Sequence, residues 1–147
     1  MRRFEFSLEA ALRWRQSQVE LEELKLRKLF VEVADLEQQS REIERTQQAE
    51  REYVQQTEVS SAARTGLADY LRWAKTVRER LRKEEAECRM RIDRQRSALV
   101  AARRGCELLV RLKSRHQREW EAAYDKELEN LASEAFLARW NSVRGPR

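Results

Sequence analysis

The stretch Val59-Ser-Ser-Ala-Ala-Arg-Thr-Gly66 decides the fold, because it separates two long segments with helical heptad patterns. Its small and polar residues favour a turn, and Gly66 is the one glycine between the two patterned segments. We therefore predict a turn over about 59–66, with helix 1 over about 5–58 and helix 2 over about 67–141.

Apolar residues recur at heptad spacing on both sides of this turn. Before it, one heptad position carries Leu12, Val19, Leu26, Val33 and Val54, with Ser40 and Gln47 as polar exceptions. After it, a second periodic run extends from Leu67 to Leu131. Ala, Glu, Lys, Leu and Arg make up about three-fifths of the chain, a composition typical of long helices and coiled coils. The sequence predicts an all-α protein with one coiled-coil domain over 1–147.

Charge distinguishes an intramolecular hairpin from a parallel dimer, which would show the same heptads. Residues 20–58 contain eleven acidic and six basic residues, a net charge of −5, whereas residues 72–118 contain six acidic and sixteen basic residues, a net charge of +10. Folding the acidic arm onto the basic arm places opposite charges across the seam, while self-pairing places like charges there. The sequence therefore predicts a long two-helix antiparallel coiled-coil hairpin.

The unequal lengths of the two arms predict a C-terminal helical overhang. Folding about residue 62 places Leu8 near His116, so that Trp120 to Trp140 would continue as a single helix. This segment carries apolar residues that have no partner within the predicted hairpin.

The residue types needed for catalysis are scarce. His116 is the only histidine, and three scattered glycines cannot form a phosphate-binding loop. Cys88 and Cys106 lie eighteen positions apart, or about 27 Å along one helix, which is beyond disulfide reach. We expect no enzymatic activity, no catalytic residue, no cofactor and no metal ion. With no long apolar run and no signal peptide, we expect a cytoplasmic protein whose membrane contact is peripheral.

Aromatic residues cluster near the predicted turn and in the predicted overhang, where they are least needed to pack the coiled-coil seam. Tyr53, Tyr70 and Trp73 lie near the predicted turn, and the overhang region carries Trp120, Tyr124, Phe136 and Trp140. Tyr and Trp are enriched among the residues that dominate binding energy at interfaces. The alternative is that they close the ends of the seam, and for Tyr53 and Tyr124 the two interpretations are equally supported.

Three segments together resemble a known family. They are Phe4-x-Phe6-x-Leu8-Glu9-x-x-Leu12-x-x-Arg15, then Tyr70-x-x-Trp73-x-x-x-Val77-x-x-x-Leu81, and finally Lys126-Glu127-Leu128-Glu129-Asn130-Leu131-Ala132 followed by Arg139-Trp140. In order, chain length and turn position the sequence resembles the FliJ family, small coiled-coil proteins of the bacterial flagellar export apparatus. Asn130 departs from the acidic residue usual in the third segment.

The resemblance implies a function and a set of partners. The family forms a stalk in the pore of the hexameric flagellar export ATPase, promotes assembly and activity of that ring, and contacts the export gate protein FlhA and export chaperones. It implies a monomer at the cytoplasmic side of the cell membrane, at the flagellar base. The implied gate-binding residues are Tyr53, Tyr70, Trp73 and Val77, and the implied ATPase-ring contacts are Phe4, Phe6, Trp120, Phe136 and Trp140.

Two other functions remain open on the sequence. A structural scaffold or peripheral stator coiled coil would need no more than the heptads. The less favoured of the two, a nucleic-acid-binding helix, would use the arginine-rich arm. Most of its arginines are interleaved with glutamate, as on a solvated helix face, so we expect no nucleic-acid partner.

Overall fold

The computed structural model describes residues 3–145, and within them it contains two long helices and no strand. Helix α1 is Glu9–Gln56 and helix α2 is Ser61–Arg144. The two helices pack against each other, so the predicted all-α helical hairpin is confirmed. Contacts divide the chain into a unit formed by 20–101 and a unit formed by 1–19 with 102–147.

The turn lies earlier than the sequence predicts. It covers residues 57–60, and the predicted turn at 59–66 is wrong because most of that stretch belongs to α2. Ser60 caps the helix: its side-chain oxygen accepts a hydrogen bond from the Ala63 amide at 3.3 Å, and its carbonyl accepts one from the Arg64 amide at 3.1 Å. Serine is a preferred N-cap and alanine is the best helix former, so α2 begins directly after Ser60 and continues through Gly66.

The core of unit 20–101 is a narrow seam between the two helices. Its buried cluster consists of Leu36 from α1 with Leu81, Cys88 and Ile92 from α2. Partly buried apolar residues surround this cluster, namely Leu26, Leu29, Val33, Ile43 and Val77. Leu26 and Val33 occupy the heptad position predicted from the sequence, and Leu29 and Leu36 each follow it by three residues, so burial follows the 4-3 spacing.

Polar groups along the seam are satisfied across the two helices. Gln47, one of the polar exceptions in the heptads, is buried and accepts a hydrogen bond from the Arg78 guanidinium at 3.2 Å. Further along, the Gln95 amide donates to both the carboxylate and the backbone carbonyl of Glu22. This hydrogen bond, with one from Lys25, holds the pKa of Glu22 below its ordinary value.

Ion pairs between the helices have the polarity that the charge count predicts. Carboxylates of α1 pair with cations of α2 at 2.7–2.8 Å in Glu44–Arg78, Glu37–Arg89, Glu32–Arg91 and Glu9–Lys113. All four pairs are at least partly exposed to solvent, where an ion pair contributes about 0–1 kcal/mol. Their main effect is to select the antiparallel partner and its register.

In the other unit, the segment before α1 packs against α2. Phe6 and Leu12 are buried, and the Phe6 ring meets the His116 ring edge-on with centroids 5.8 Å apart. The predicted register, with Leu8 near His116, is therefore met within about one helical turn. Trp120 is half-buried beside Phe4, so the overhang begins after Trp120 and Tyr124, not at Trp120 as predicted.

Candidate functional sites

The first candidate site is the turn surface, which comprises Tyr53, Tyr70 and Trp73. Tyr53 at the end of α1 and Tyr70 in α2 line one concavity of about 340 Å³, together with Val59, Gly66 and Leu67. Tyr70 also contacts Trp73, with ring centroids 5.7 Å apart and planes inclined by 33°. Trp73 lies in the fourth turn of α2 and is 55% exposed. The structure therefore brings the three aromatic residues into one patch.

Val77, the fourth residue of the predicted gate-binding set, has a different environment. It is half-buried and packs against the cluster of Leu36, Leu81, Cys88 and Ile92. In the free chain it supports the helix pair beneath the turn surface, and it offers less area to a partner than Trp73.

A basic groove lies beside the turn surface, and sequence reasoning missed it. The groove has a volume of about 500 Å³, and five of its eight lining residues are cations. The lining consists of Gln47 and Arg51 of α1 with Leu71, Arg72, Lys75, Arg78, Glu79 and Arg82 of α2. Arg78 pairs with Glu44, whereas Arg51, Lys75 and Arg82 have no ion-pair partner among the described residues. Leu71, Lys75, Arg78 and Arg82 follow a spacing of 4, 3 and 4 positions, which places three cations on one helix face.

The second candidate site, in the other unit, separates into two aromatic groups. The aromatic side chains of Phe4, Trp120 and Tyr124 contact one another in series. The ring centroids of Phe4 and Trp120 lie 6.1 Å apart, and the Trp120 ring stacks on the Tyr124 ring with centroids 5.4 Å apart. Phe6 is buried, so its main role in the free chain is to anchor the segment before α1. Three of the residues predicted to contact the ATPase ring, namely Phe4, Phe6 and Trp120, thus lie in packed positions.

The other two residues predicted to contact the ATPase ring form an exposed pair near the end of α2. Phe136 and Trp140 stack with centroids 6.3 Å apart, and the Arg144 guanidinium lies over the Trp140 ring at 4.9 Å. Both aromatic side chains are at least half exposed. A stacked pair beside a guanidinium presents an apolar surface with a cationic edge, which suits a partner with apolar and acidic groups.

The two thiols differ in their chemical environment. Cys88 is fully buried and its thiol donates a weak hydrogen bond to the Leu29 carbonyl at 3.5 Å. Burial, followed by the nearby Glu32 charge, raises the pKa of the Cys88 thiol above its ordinary value. Cys106 is half-exposed. A protonated, buried thiol is a poor nucleophile, so Cys88 acts as a small packing residue.

Among residues 3–145, no group of three or more His, Cys, Asp or Glu side chains is arranged to hold a metal ion. In the same part of the chain, neither helix contains an apolar stretch long enough to span a bilayer.

Comparison of the chain with protein-family models, curated proteins and solved structures finds no match.

Proposed function

We propose that this protein is a non-enzymatic stalk and adaptor of the bacterial flagellar protein export apparatus. The observation that carries the proposal is a two-helix scaffold with an exposed aromatic patch beside its turn and a second exposed aromatic pair near its C-terminus. The resemblance of three sequence segments to the FliJ family supports the same assignment. Each of these segments contributes residues to a candidate site.

The turn surface is the proposed contact with the export gate protein FlhA. Trp73 supplies a large exposed ring on a rigid helix, and Tyr70 and Tyr53 extend the patch across both helices. Aromatic side chains held rigidly lose little conformational entropy on binding, which makes them effective interface anchors. Arg51, Lys75 and Arg82 of the neighbouring basic groove, which have no ion-pair partner among the described residues, add a positive rim that would favour an acidic partner surface.

The second candidate site is the proposed contact with the hexameric export ATPase. Two packed helices measure about 20 Å across, a width that could occupy the bore of a ring. Phe136 and Trp140 would supply the direct contact, while Phe4, Phe6 and Trp120 hold the segment before α1 against α2. In this role the chain promotes ring assembly and activity, exchanges export chaperones and acts as a monomer at the cytoplasmic side of the membrane.

The proposal is tested by pull-down of the purified chain with the cognate export ATPase and, separately, with the FlhA cytoplasmic domain. Binding to both is the expected result. Binding to neither would refute the proposal. Activation of ATP hydrolysis by added chain is the second measurement, because a stalk that promotes ring assembly should raise the specific activity at low ATPase concentration.

The alternative is a structural scaffold or peripheral stator coiled coil, which the ion-paired seam would also serve. Light scattering separates the two roles, since a dilute monomeric hairpin supports the stalk and an obligate parallel dimer supports the scaffold. The basic groove also makes nucleic-acid binding a candidate function. It predicts affinity that falls steeply with salt, and absence of binding at low salt would exclude it.

A further inference from the structure

Beyond Tyr124, helix α2 presents a coiled-coil seam that no other described part of the chain covers. We define the extension stripe as Tyr124, Leu128, Leu131, Ala135, Ala138 and Ser142, which follow one another at spacings of 4, 3, 4, 3 and 4 residues. This is the spacing of a coiled-coil seam. Every described residue from Asp125 to Gly145 is exposed, Leu131 by 55%. Long helices draw most of their stability from packing an apolar face, so we expect a partner to cover this stripe.

The order of side-chain sizes along the stripe indicates which partner fits. Its first half contains Tyr124, Leu128 and Leu131, and its second half contains Ala135, Ala138 and Ser142. An identical helix laid antiparallel in a–d register would pair Leu131 with Ala135, Leu128 with Ala138 and Tyr124 with Ser142 of the second copy. Each layer then joins a large residue to a small one, as close packing requires. A parallel copy would crowd one half of the stripe and leave voids in the other.

The charges of the same segment favour the same arrangement. Residues 121–134 contain five acidic residues and one lysine, a net charge of −4, whereas residues 135–144 contain two arginines, a net charge of +2. Asp125 and Arg139 each directly follow a stripe residue and occupy the same flank. In the antiparallel register, Asp125 faces Arg139 of the second copy, and symmetry makes this pair twice. A parallel copy would instead lay residues 121–134 of one copy, with a net charge of −4, alongside the same acidic residues of the other.

From these observations we propose that the extension stripe is a self-association surface, on which a second copy of this chain binds in antiparallel orientation about a two-fold axis. Each hairpin stays intramolecular, and the two copies meet through their C-terminal helices. Six short layers with alanine in most of them form a weak, reversible contact. One like-charge contact opposes it, because Glu134 lies near Glu134 of the second copy at the axis. The dimer therefore forms with rising concentration and dissociates on dilution.

The dimer leaves the Phe136–Trp140 pair free. Both residues lie on the side of the helix away from the stripe, at heptad positions that do not face a coiled-coil partner. The self-association surface is thus distinct from the proposed ATPase contact, and it does not depend on the proposed function.

Sedimentation velocity over a wide concentration range tests the dimer with the full chain alone. The expected result is a weight-average sedimentation coefficient that increases with concentration. Leu131→Glu should abolish the increase, because it places a carboxylate in two layers of the dimer. Leu137→Glu is the matched control: Leu137 is equally exposed, at 57%, but lies on the other side of the helix, so this variant should associate like the parent. Glu134→Gln should strengthen association at least several-fold.

Cysteine cross-linking tests the orientation, in a chain whose native thiols are replaced by Cys88→Ala and Cys106→Ala. A Leu128→Cys chain mixed with an Ala138→Cys chain should be joined by a short bis-maleimide, whereas either chain with itself should not. Self-linkage of both variants would show a parallel dimer and overturn the proposal. A chain that stays monomeric at every concentration, or that loses association with Leu137→Glu and not with Leu131→Glu, would also overturn it. Neither ATPase nor FlhA is present, so failure here leaves the proposed function standing.

Discussion

Arg78 donates a hydrogen bond to the buried side-chain oxygen of Gln47, at 3.2 Å, and the same guanidinium pairs with Glu44 at 2.8 Å. Arg78 comes from α2 and its two partners from α1. A single guanidinium therefore supplies the hydrogen bond that the buried Gln47 side chain needs, and it also forms an exposed ion pair between the two helices. Gln47 would otherwise be a buried amide without a protein donor, which costs about 1–3 kcal/mol.

This arrangement predicts that Arg78→Ala lowers the free energy of unfolding by about 1–3 kcal/mol, because it leaves the Gln47 oxygen buried and unpaired. The double variant Gln47→Leu/Arg78→Ala should recover most of that loss, since an apolar residue then fills the seam. Arg82→Ala is the matched control: it removes an arginine from the same groove that has no ion-pair partner among the described residues, and it should cost little. Urea unfolding followed by circular dichroism measures all three. Equal losses for Arg78→Ala and Arg82→Ala would contradict the prediction.

Gly66 provides a test of where the turn lies. The residue is inside α2, and a Cβ added there would meet no atom within 4 Å. Gly66→Ala should therefore stabilise the protein by about 0.5–1 kcal/mol, the helix preference for alanine over glycine. If Gly66 instead formed the turn with a positive φ, alanine would destabilise the chain. Ser60→Ala, which removes the N-cap, should have the opposite sign and cost about 1 kcal/mol.

These residues show what the sequence could and could not predict. Heptads and opposite arm charges predict the hairpin and its register, because both depend on one-dimensional spacing. The sequence predicts the turn too late because glycine is a strong local signal. The decisive interaction is the Ser60 cap, which tertiary packing must select among neighbouring serines. The sequence does not predict the basic groove, because its α2 cations are interleaved with other residues along the chain and Arg51 joins them only when α1 packs against α2. Phe6 was predicted as a binding residue, but its burial against His116 depends on how the segment before α1 folds back.

The buried thiol predicts an unequal reactivity of the two cysteines. Cys106 should react with a thiol reagent in the native protein, and Cys88 should react at the rate of unfolding or local opening. Burial raises the pKa of Cys88, so the folded chain retains this proton at a pH where the unfolded chain has lost it. Its contribution to stability therefore decreases as the pH rises above the ordinary thiol pKa. Labelling followed by mass spectrometry measures the rates, and fast native labelling of Cys88 would contradict the buried placement.

Two phenylalanines of the set proposed to contact the ATPase ring should differ in their effects on stability and binding. Phe6 is 7% exposed and Phe136 is 64% exposed. Phe6→Ala should cost about 3–5 kcal/mol in unfolding free energy, because it leaves a cavity beside His116 and releases the segment before α1. Phe136→Ala should leave stability unchanged and weaken binding to the export ATPase. Thermal unfolding and ATPase pull-down together measure both effects. Comparable destabilisation by the two variants would contradict the exposed placement of Phe136.

The turn surface gives the prediction most specific to the proposed function. Changing Tyr70 and Trp73 together to alanine should leave the circular dichroism at 222 nm nearly unchanged, since Trp73 contributes surface and little seam packing. The same variant should lose most of its binding to the FlhA cytoplasmic domain, because it removes the centre of the aromatic patch. Val31→Ala, an exposed apolar residue on α1 of the same unit, is the control and should bind like the parent chain. A large loss of helicity would show that Tyr70 and Trp73 hold the seam together. Unchanged binding with intact helicity would remove the turn surface from the gate contact.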